Sequence, residues 1–496
     1  MILKIQKKVA EFSHYGKMLS TNKQIHRRKS AVTTVSNKED FDNAIFECCM
    51  PFFKRFNING ILRRFYAVKQ KGVSAYVTFL FLIGLVFTGK NLYTLLKTEP
   101  ERLDFEKDVV YRFLGDSRIH WEQILSETAY GVILEIKEQT PEKTMTANVV
   151  DDTSYYRNRS KKVELLSRCY DHVDHKYYKG FTLLCLGWTD GESFIPMKEQ
   201  MVASGNDNNL LVSSQVKEDR RTLATKRRNN ARKDKNTLTL QMLESIKGTP
   251  AQTKYVLFDS WFESPSSLVS IKNIGYDVVA RAANKENYRY LYNGEMKSIK
   301  NIYQMNQKRR GKSRYLLSVD IQIVHKDFDG AIPAKIVYVR DKNNRKKWIA
   351  FITTDADLSE DQIIALYELR WQIEPFFKIL KSFFRIEKEF QTRSFDAITA
   401  HTAIVMIRYI VMALRNREDK EPGTICDVFF SLCKELDNIT FKNIFSTISD
   451  TIKNSLTDYL HMPLDAIDSF WAYFLSTIPV HIKSKLDGSP SFGSGI

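Results

Sequence analysis

The chain has 496 residues, of which 43% are apolar and 12% aromatic, with 20 Gly and 12 Pro. That composition belongs to a folded globular protein with a large core, and it excludes a disordered or fibrous chain and a minimal domain that needs disulfides for stability. Lys and Arg number 75 against 58 Asp and Glu, a formal net charge of +17, and such a surplus points to a polyanionic partner, nucleic acid first.

Residues 1–140 read as mostly helical after a polar stretch from Ser20 to Lys38. The opening MILKIQKKVAEF carries charges through what would be the apolar core of a secretory signal, so export is not expected. The six cysteines, Cys48, Cys49, Cys169, Cys185, Cys426 and Cys433, include no C-x-x-C pair and suit a reducing cytoplasm. From Gly72 to Gly89, between Lys71 and Lys90, eighteen residues carry no charge, which touches the lower limit for a membrane span. Its Gly, Ser and Thr content and the basic residues at both ends favour a buried core helix, so no membrane is expected.

Near Thr146 the pattern changes to short apolar runs that end on polar residues: ANVV before Asp151, FTLLCLGW after Gly180, SFIPM, YVLF before Asp259 and YDVVA after Gly275. These read as strands of a mixed sheet. Between them lie the basic stretch Lys217 to Lys235 and a helical segment from Thr237 to Ile246. Residues 284–347 read as a β-rich insertion carrying Lys308, Arg309, Arg310, Lys312, Arg345, Lys346 and Lys347. Two strong helices follow, Ser359 to about Phe384 and Ala397 to about Leu414, and then a weakly helical region that ends in a Gly/Ser tail from Asp487, expected to be disordered. The expected divisions are therefore 1–140, 141–283, 284–347, 348–415 and 416–496.

The segment Leu358 to Lys381 carries the most chemistry. Ser359, with Gln362 three residues later, forms a capping box that opens a helix. At 100° per residue, Leu366, Leu369, Ile373, Phe376, Phe377 and Leu380 share an arc of roughly 100°, and Tyr367, Arg370, Glu374 and Lys381 cluster within about 60° on the other side. Pro375 should kink the helix beside Glu374, since it removes the hydrogen bond toward Trp371. Ordinary ion pairs on a solvated face are the bland account of this polar side.

The spacing Tyr367-x2-Arg370-x3-Glu374-x6-Lys381 resembles the signature of bacterial insertion-sequence transposases of the DDE type. The resemblance spans about Thr146 to Leu414. It implies an α/β fold: an RNase H-like mixed sheet flanked by helices, with a β-rich insertion and helical N- and C-terminal regions. It also implies two aspartates at strand ends beside the glutamate. Asp259, between YVLF and SWF, fits the second, because ligands gather at the C-terminal ends of strands in open α/β sheets. Asp151 and Asp152 both fit the first, with Asp152 preferred. The resemblance further implies two Mg²⁺ ions, replaceable by Mn²⁺, held by Asp152, Asp259 and Glu374. Tyr367, Arg370 and Lys381 are then expected on the phosphates of the DNA end, and Trp371 on a flipped base.

The partners implied are double-stranded DNA, both as terminal inverted repeats and as target, and a second copy of the chain in a homodimer. The reaction implied is cut-and-paste transposition, with the protein in the bacterial cytoplasm near the nucleoid. The first 140 residues are assigned to DNA-end binding by analogy alone. Arg227, Arg228 and Lys233, in the basic run between the two aspartates, are expected on phosphates. The pattern Asp171-His172-x-Asp174-His175 has ligand residue types but lacks the partners for a four-coordinate zinc, so it is expected to be scaffold. A metal-dependent nuclease without strand transfer, and a DNA-binding protein that keeps the fold without the chemistry, are the competing readings.

Overall fold

The apolar runs that begin at Ala147 come together as the strands of one sheet. The computed structural model describes residues 49–98 and 105–487, apart from 173, 215–218, 220, 311–312, 327–328, 343, 345 and 420–422. The polar stretch Ser20 to Lys38, Cys48, Lys312, Arg345 and nearly all of the Gly/Ser tail lie outside the described residues. In chain order the strands are β1 (Ala147–Tyr156), β2 (Ser167–Asp171), β3 (Lys176–Thr189), β4 (Phe194–Val202), β5 (Tyr255–Phe258), β6 (Asp277–Arg281), β7 (Tyr290–Tyr292), β8 (Glu295–Lys297), β9 (Leu317–Ile323), β10 (Ile332–Arg340) and β11 (Trp348–Thr353).

Their order across the sheet is β2-β3-β1-β5-β6-β11-β10-β9-β7-β8, with β4 also paired to β3. β1, β3 and β4 form an antiparallel meander. β5 and β6 then run parallel to β1, and β11 and β10 continue antiparallel. Residues 284–347, the expected β-rich insertion, supply β7 to β10, all in this one sheet. β9 and β10 join the main sheet through β11, which pairs with β6 on its other side, and the Ile336–Tyr338 run of β10 is fully buried.

The uncharged segment after Gly72 becomes the helix Ala75–Leu85, N-capped by Ser74 and extended by a tight turn to Thr88. Phe79, Leu82 and Leu85 are fully buried. Its last carbonyls lack partners within the helix, and the wholly buried Arg408 supplies them: its Nε donates to Ile83 O at 3.0 Å and its Nη2 to Leu82 O. Glu389 neutralises Arg408 through both carboxylate oxygens, at 2.7 Å each, and also bonds His401. Arg408 belongs to the helix Phe395–Glu418, which is long and apolar enough to cross a membrane; its most apolar window is wholly buried in the protein. Burial in a core accounts for both segments.

One buried acid on β4 makes stability depend on pH. Neither carboxylate oxygen of Glu199 has a hydrogen-bond partner among the described residues. Burial, reinforced by Glu122, pushes its pKa up to about 8 from 4.5. The folded chain thus keeps a proton that the unfolded chain releases, so this contribution is complete below the unfolded value and is lost as pH rises toward 8. Asp151 and Glu263, both pushed up to about 7, act in the same direction. Glu199→Gln is expected to flatten the decline of urea stability between pH 6 and 9, gaining on the order of 3 kcal/mol at the alkaline end. A decline as steep as that of the wild type in this variant would remove Glu199 as a source.

Candidate active site

Sheet register brings the first acidic residues together. The parallel pairing of β1 and β5 sets Val149 opposite Leu257, and that of β5 and β6 sets Phe258 opposite Ala280. Followed one or two residues further, the same register places Asp151, Asp259 and Arg281 abreast on three neighbouring strands. β5 stops at Phe258, so Asp259 stands at its C-terminal end. There its carboxylate accepts the backbone N–H of Trp261 at 2.8 Å, a local turn that fixes the strand-to-loop junction.

Successive strand residues face opposite ways, and Asp151 and Asp152 separate accordingly. Asp151 Oδ2 accepts from Arg370 Nη1 at 3.0 Å. Asp152 Oδ1 accepts from Lys235 Nζ at 2.9 Å. Lys235 opens the helix Lys235–Ser245, and its ammonium also lies 3.3 Å from the ring centre of Trp261.

The signature segment is helical, with the Ser359–Gln362 capping box formed. It is not one continuous α-helix. Glu360–Leu369 tightens into a 3₁₀ turn at Arg370–Gln372 and resumes as Ile373–Ser382. Pro375 has no N–H to offer the carbonyl of Trp371, and the irregular turn sits at that carbonyl. Leu366, Ile373, Phe376, Phe377 and Leu380 are buried as the periodicity predicts. Arg370 lies between Asp151 and Glu374, whose Oε1 accepts from its Nη2 at 2.6 Å.

Tyr367 packs on Phe351 with ring centres 4.4 Å apart. Burial raises the pKa of its hydroxyl, against the opposing charges of Arg370 and Arg281. Lys381 lies 5.5 Å from the Tyr156 ring centre, and burial lowers its pKa. Trp371 is 64% exposed, its ring centre 5.9 Å from the Arg370 guanidinium.

Asp151, Asp152, Asp259, Lys235 and Lys381 line a common cleft of about 650 Å³. Glu374 reaches this group through Arg370. Burial and then the charge of Asp259 push Asp151 up to about 7. Burial also raises Asp152, against Lys235. Carboxylates that repel one another at strand ends form an all-oxygen donor set with surplus negative charge, which is the chemistry a hard divalent cation takes. Among the described residues no three His, Cys, Asp or Glu side chains converge on one point; Arg370 lies between Asp151 and Glu374, and Lys235 pairs with Asp152. The donor types fit such an ion, and Glu374 has to exchange Arg370 for it.

Two of the expected phosphate contacts are overturned. Arg227 and Arg228, on the helix Leu223–Ala231, are 2% and 5% exposed. Arg227 donates to Asp396 at 2.9 Å and to the carbonyl of Ile119. Arg228 binds Glu164 through two nitrogens, at 2.6 and 2.8 Å, and Asp396 at 2.8 Å. Both guanidinium groups are spent inside the fold. Lys233 is partly exposed and bonds Gln241. From the basic run it is Lys235 that enters the cleft, whereas Arg281, abreast of Asp259 by strand register, was left unmarked by the sequence because only that register shows where it emerges. Asp171 of the ligand-like cluster accepts from the hydroxyls of Ser154 and Tyr156, as befits scaffold.

Residues 216–411 match the family model described as Transposase DDE domain. The matched stretch holds Asp259 and the whole of Tyr367 to Lys381, and it begins after Asp151 and Asp152. No curated protein matches the chain. The region from β5 through the signature helix is thus similar to the catalytic domain of DDE transposases.

Proposed function

We propose that the chain is a DNA transposase that cleaves at the ends of its element and joins them to target DNA, on an RNase H-like core. The single observation that carries this reading is the Arg370 bridge, which ties Glu374 of the signature helix to Asp151 on β1, abreast of Asp259 in the sheet. The strand order β4-β3-β1-β5-β6, with one antiparallel meander and two parallel strands, supports the RNase H-like assignment.

Asp151, Asp259 and Glu374 are the proposed metal carboxylates. This moves the first ligand from Asp152, which faces Lys235, to Asp151, which faces the signature helix. Two Mg²⁺ ions bound there would lower the pKa of an attacking water and stabilise the leaving oxygen in an in-line phosphoryl transfer. Arg370, once released by Glu374, would have Nε and Nη2 free while Nη1 stays on Asp151, a fork that can hold a phosphate in two-point contact. Lys381 and Lys235 add positive charge at the cleft wall, and Tyr367 fixes the sheet side of the signature turn. Trp371 offers an exposed ring to a base near the cut.

A homodimer is part of the proposal. Ile444, Ile448 and Ile452 recur every four residues on the helix Ile425–Asp458 and are all exposed, a row that pairing of two chains would cover. A DNA substrate places the protein with the chromosome. The test is cleavage of a duplex bearing the element's inverted repeats in Mg²⁺, followed by capture of the 3′ ends in a plasmid. Cleavage and capture are both expected; cleavage alone would reduce the reading to a nuclease, and neither would overturn it.

A further inference from the structure

The β2–β3 hairpin stands at the rim of the cleft, and its two faces differ in kind. Register pairs Tyr170 with Tyr177, Arg168 with Lys179 and Cys169 with Tyr178. Because side chains alternate along a strand, Arg168, Tyr170, Tyr177 and Lys179 share one face, and Cys169, Asp171 and Tyr178 the other. The inner face is locked. Asp171 accepts from Ser154 at 2.9 Å and from Tyr156, and the buried Tyr178 donates to the carbonyl of Phe181 at 2.9 Å.

The outer face is open. Tyr170 is 41% and Tyr177 60% exposed, with ring centres 5.1 Å apart at 67°. The Arg168 guanidinium lies 4.1 Å from the centre of the Tyr177 ring, and the His172 ring 5.0 Å from that of Tyr170. Of this face, Arg168, Tyr170 and His172 border the cleft that holds Asp151, Asp152 and Asp259, as do the inner-face Cys169, Asp171 and Tyr178, while Tyr177 and Lys179 lie outside its lining and extend the face away from the carboxylates.

We propose that this outer face is a stacking platform for unpaired nucleobases of the DNA strand that enters the cleft. The inference rests on the reading of the cleft as a DNA-processing site. A cross-strand tyrosine pair by itself stabilises a hairpin, and that accounts for the two rings touching. It does not account for cations at the flanking positions on the same face. Residues two apart on a strand lie about 6.6 Å from one another, so rings and cations alternate as bases and phosphates do along one strand. Stacking accepts any base, since every base has a π-face, and Arg168 adds a cation–π contribution to the ring beneath it. The inner-face bonds of Asp171 to Ser154 and Tyr156 hold the hairpin to β1, the strand that carries Asp151 and Asp152. A duplex end engaged there has its terminal bases unpaired and held beside the scissile phosphate.

The experiment compares a blunt duplex with the same duplex carrying a short 3′ overhang that contains 2-aminopurine, both in EDTA so that no cleavage occurs. Wild-type protein is expected to bind the overhang more tightly and to change the 2-aminopurine emission by stacking. The double variant Tyr170→Leu/Tyr177→Leu is expected to lose that change and about tenfold in overhang affinity, with the blunt duplex bound as before. Tyr170→Phe/Tyr177→Phe keeps the rings and should restore both. An unchanged signal in the leucine variant, or an equal loss on the blunt duplex, would overturn the platform. Stacking by a wild-type protein that never cuts in Mg²⁺ would overturn the transposase reading and leave the platform standing.

Discussion

Asp259→Asn and Glu374→Gln are each expected to lower DNA cleavage by at least about a thousandfold while DNA binding stays within a fewfold of wild type. A carboxamide keeps the size of the side chain and gives up the charge that a divalent ion needs. Asp259 sits at a strand end with its carboxylate fixed by the Trp261 N–H, which the amide oxygen of asparagine can still accept, so the turn should survive. Glu374 is only partly buried and its partner Arg370 keeps Asp151, so the fold should survive too. Single-turnover cleavage in Mg²⁺ together with urea unfolding separates lost chemistry from lost structure. Near wild-type cleavage by either variant would end the assignment of these carboxylates. The companion pair decides between neighbours: Asp151→Asn is expected to abolish cleavage, and Asp152→Asn to leave a measurable rate, because Asp151 is tied through Arg370 to Glu374 whereas Asp152, in the same cleft, is neutralised by Lys235.

What the sequence revealed of this site was whatever is local to one element. The capping box at Ser359, the apolar stripe from Leu366 to Leu380 and the break at Pro375 depend on residues within a few turns, and each is found in the structure. Asp259 was legible because a short apolar run stops directly before it. The separation of Asp151 from Asp152 was not legible, since the alternation of a strand says that they diverge but not which face carries the signature helix. Arg281 was hidden for the same reason, and Lys235 was visible only as one cation of a basic run, since its partner Asp152 lies more than eighty residues away in the chain. The apolar segment after Gly72 was ambiguous by composition alone. Arg408, 326 residues from Leu82, is what fixes that segment in a core.

The basic run shows the same limit with the largest consequence. In sequence, Arg227 and Arg228 look like any solvated cations next to Lys226 and Arg232. Their acids are far away in the chain: Glu164 lies 64 residues from Arg228, and Asp396 lies 168. Folding joins them into a network with almost no solvent access, in which Arg228 is 6%, Glu164 7% and Asp396 4% exposed at the side chain. Removing one member of a buried pair leaves the other charge without compensation, which costs about 3–5 kcal/mol. Arg228→Ala is therefore expected to lower urea stability by that amount. Its effect on the salt dependence of DNA binding should be negligible, since a guanidinium held by two carboxylates releases no counterions from DNA. Arg228→Lys should recover only part of the loss, because one ammonium cannot serve Glu164 in two-point contact and also reach Asp396. The two measurements oppose each other cleanly. A stability loss below about 1 kcal/mol together with a shallower salt slope would return Arg228 to the DNA surface, whereas a large loss with an unchanged slope makes it the clamp that holds the helix Leu223–Ala231 to the start of Phe395–Glu418.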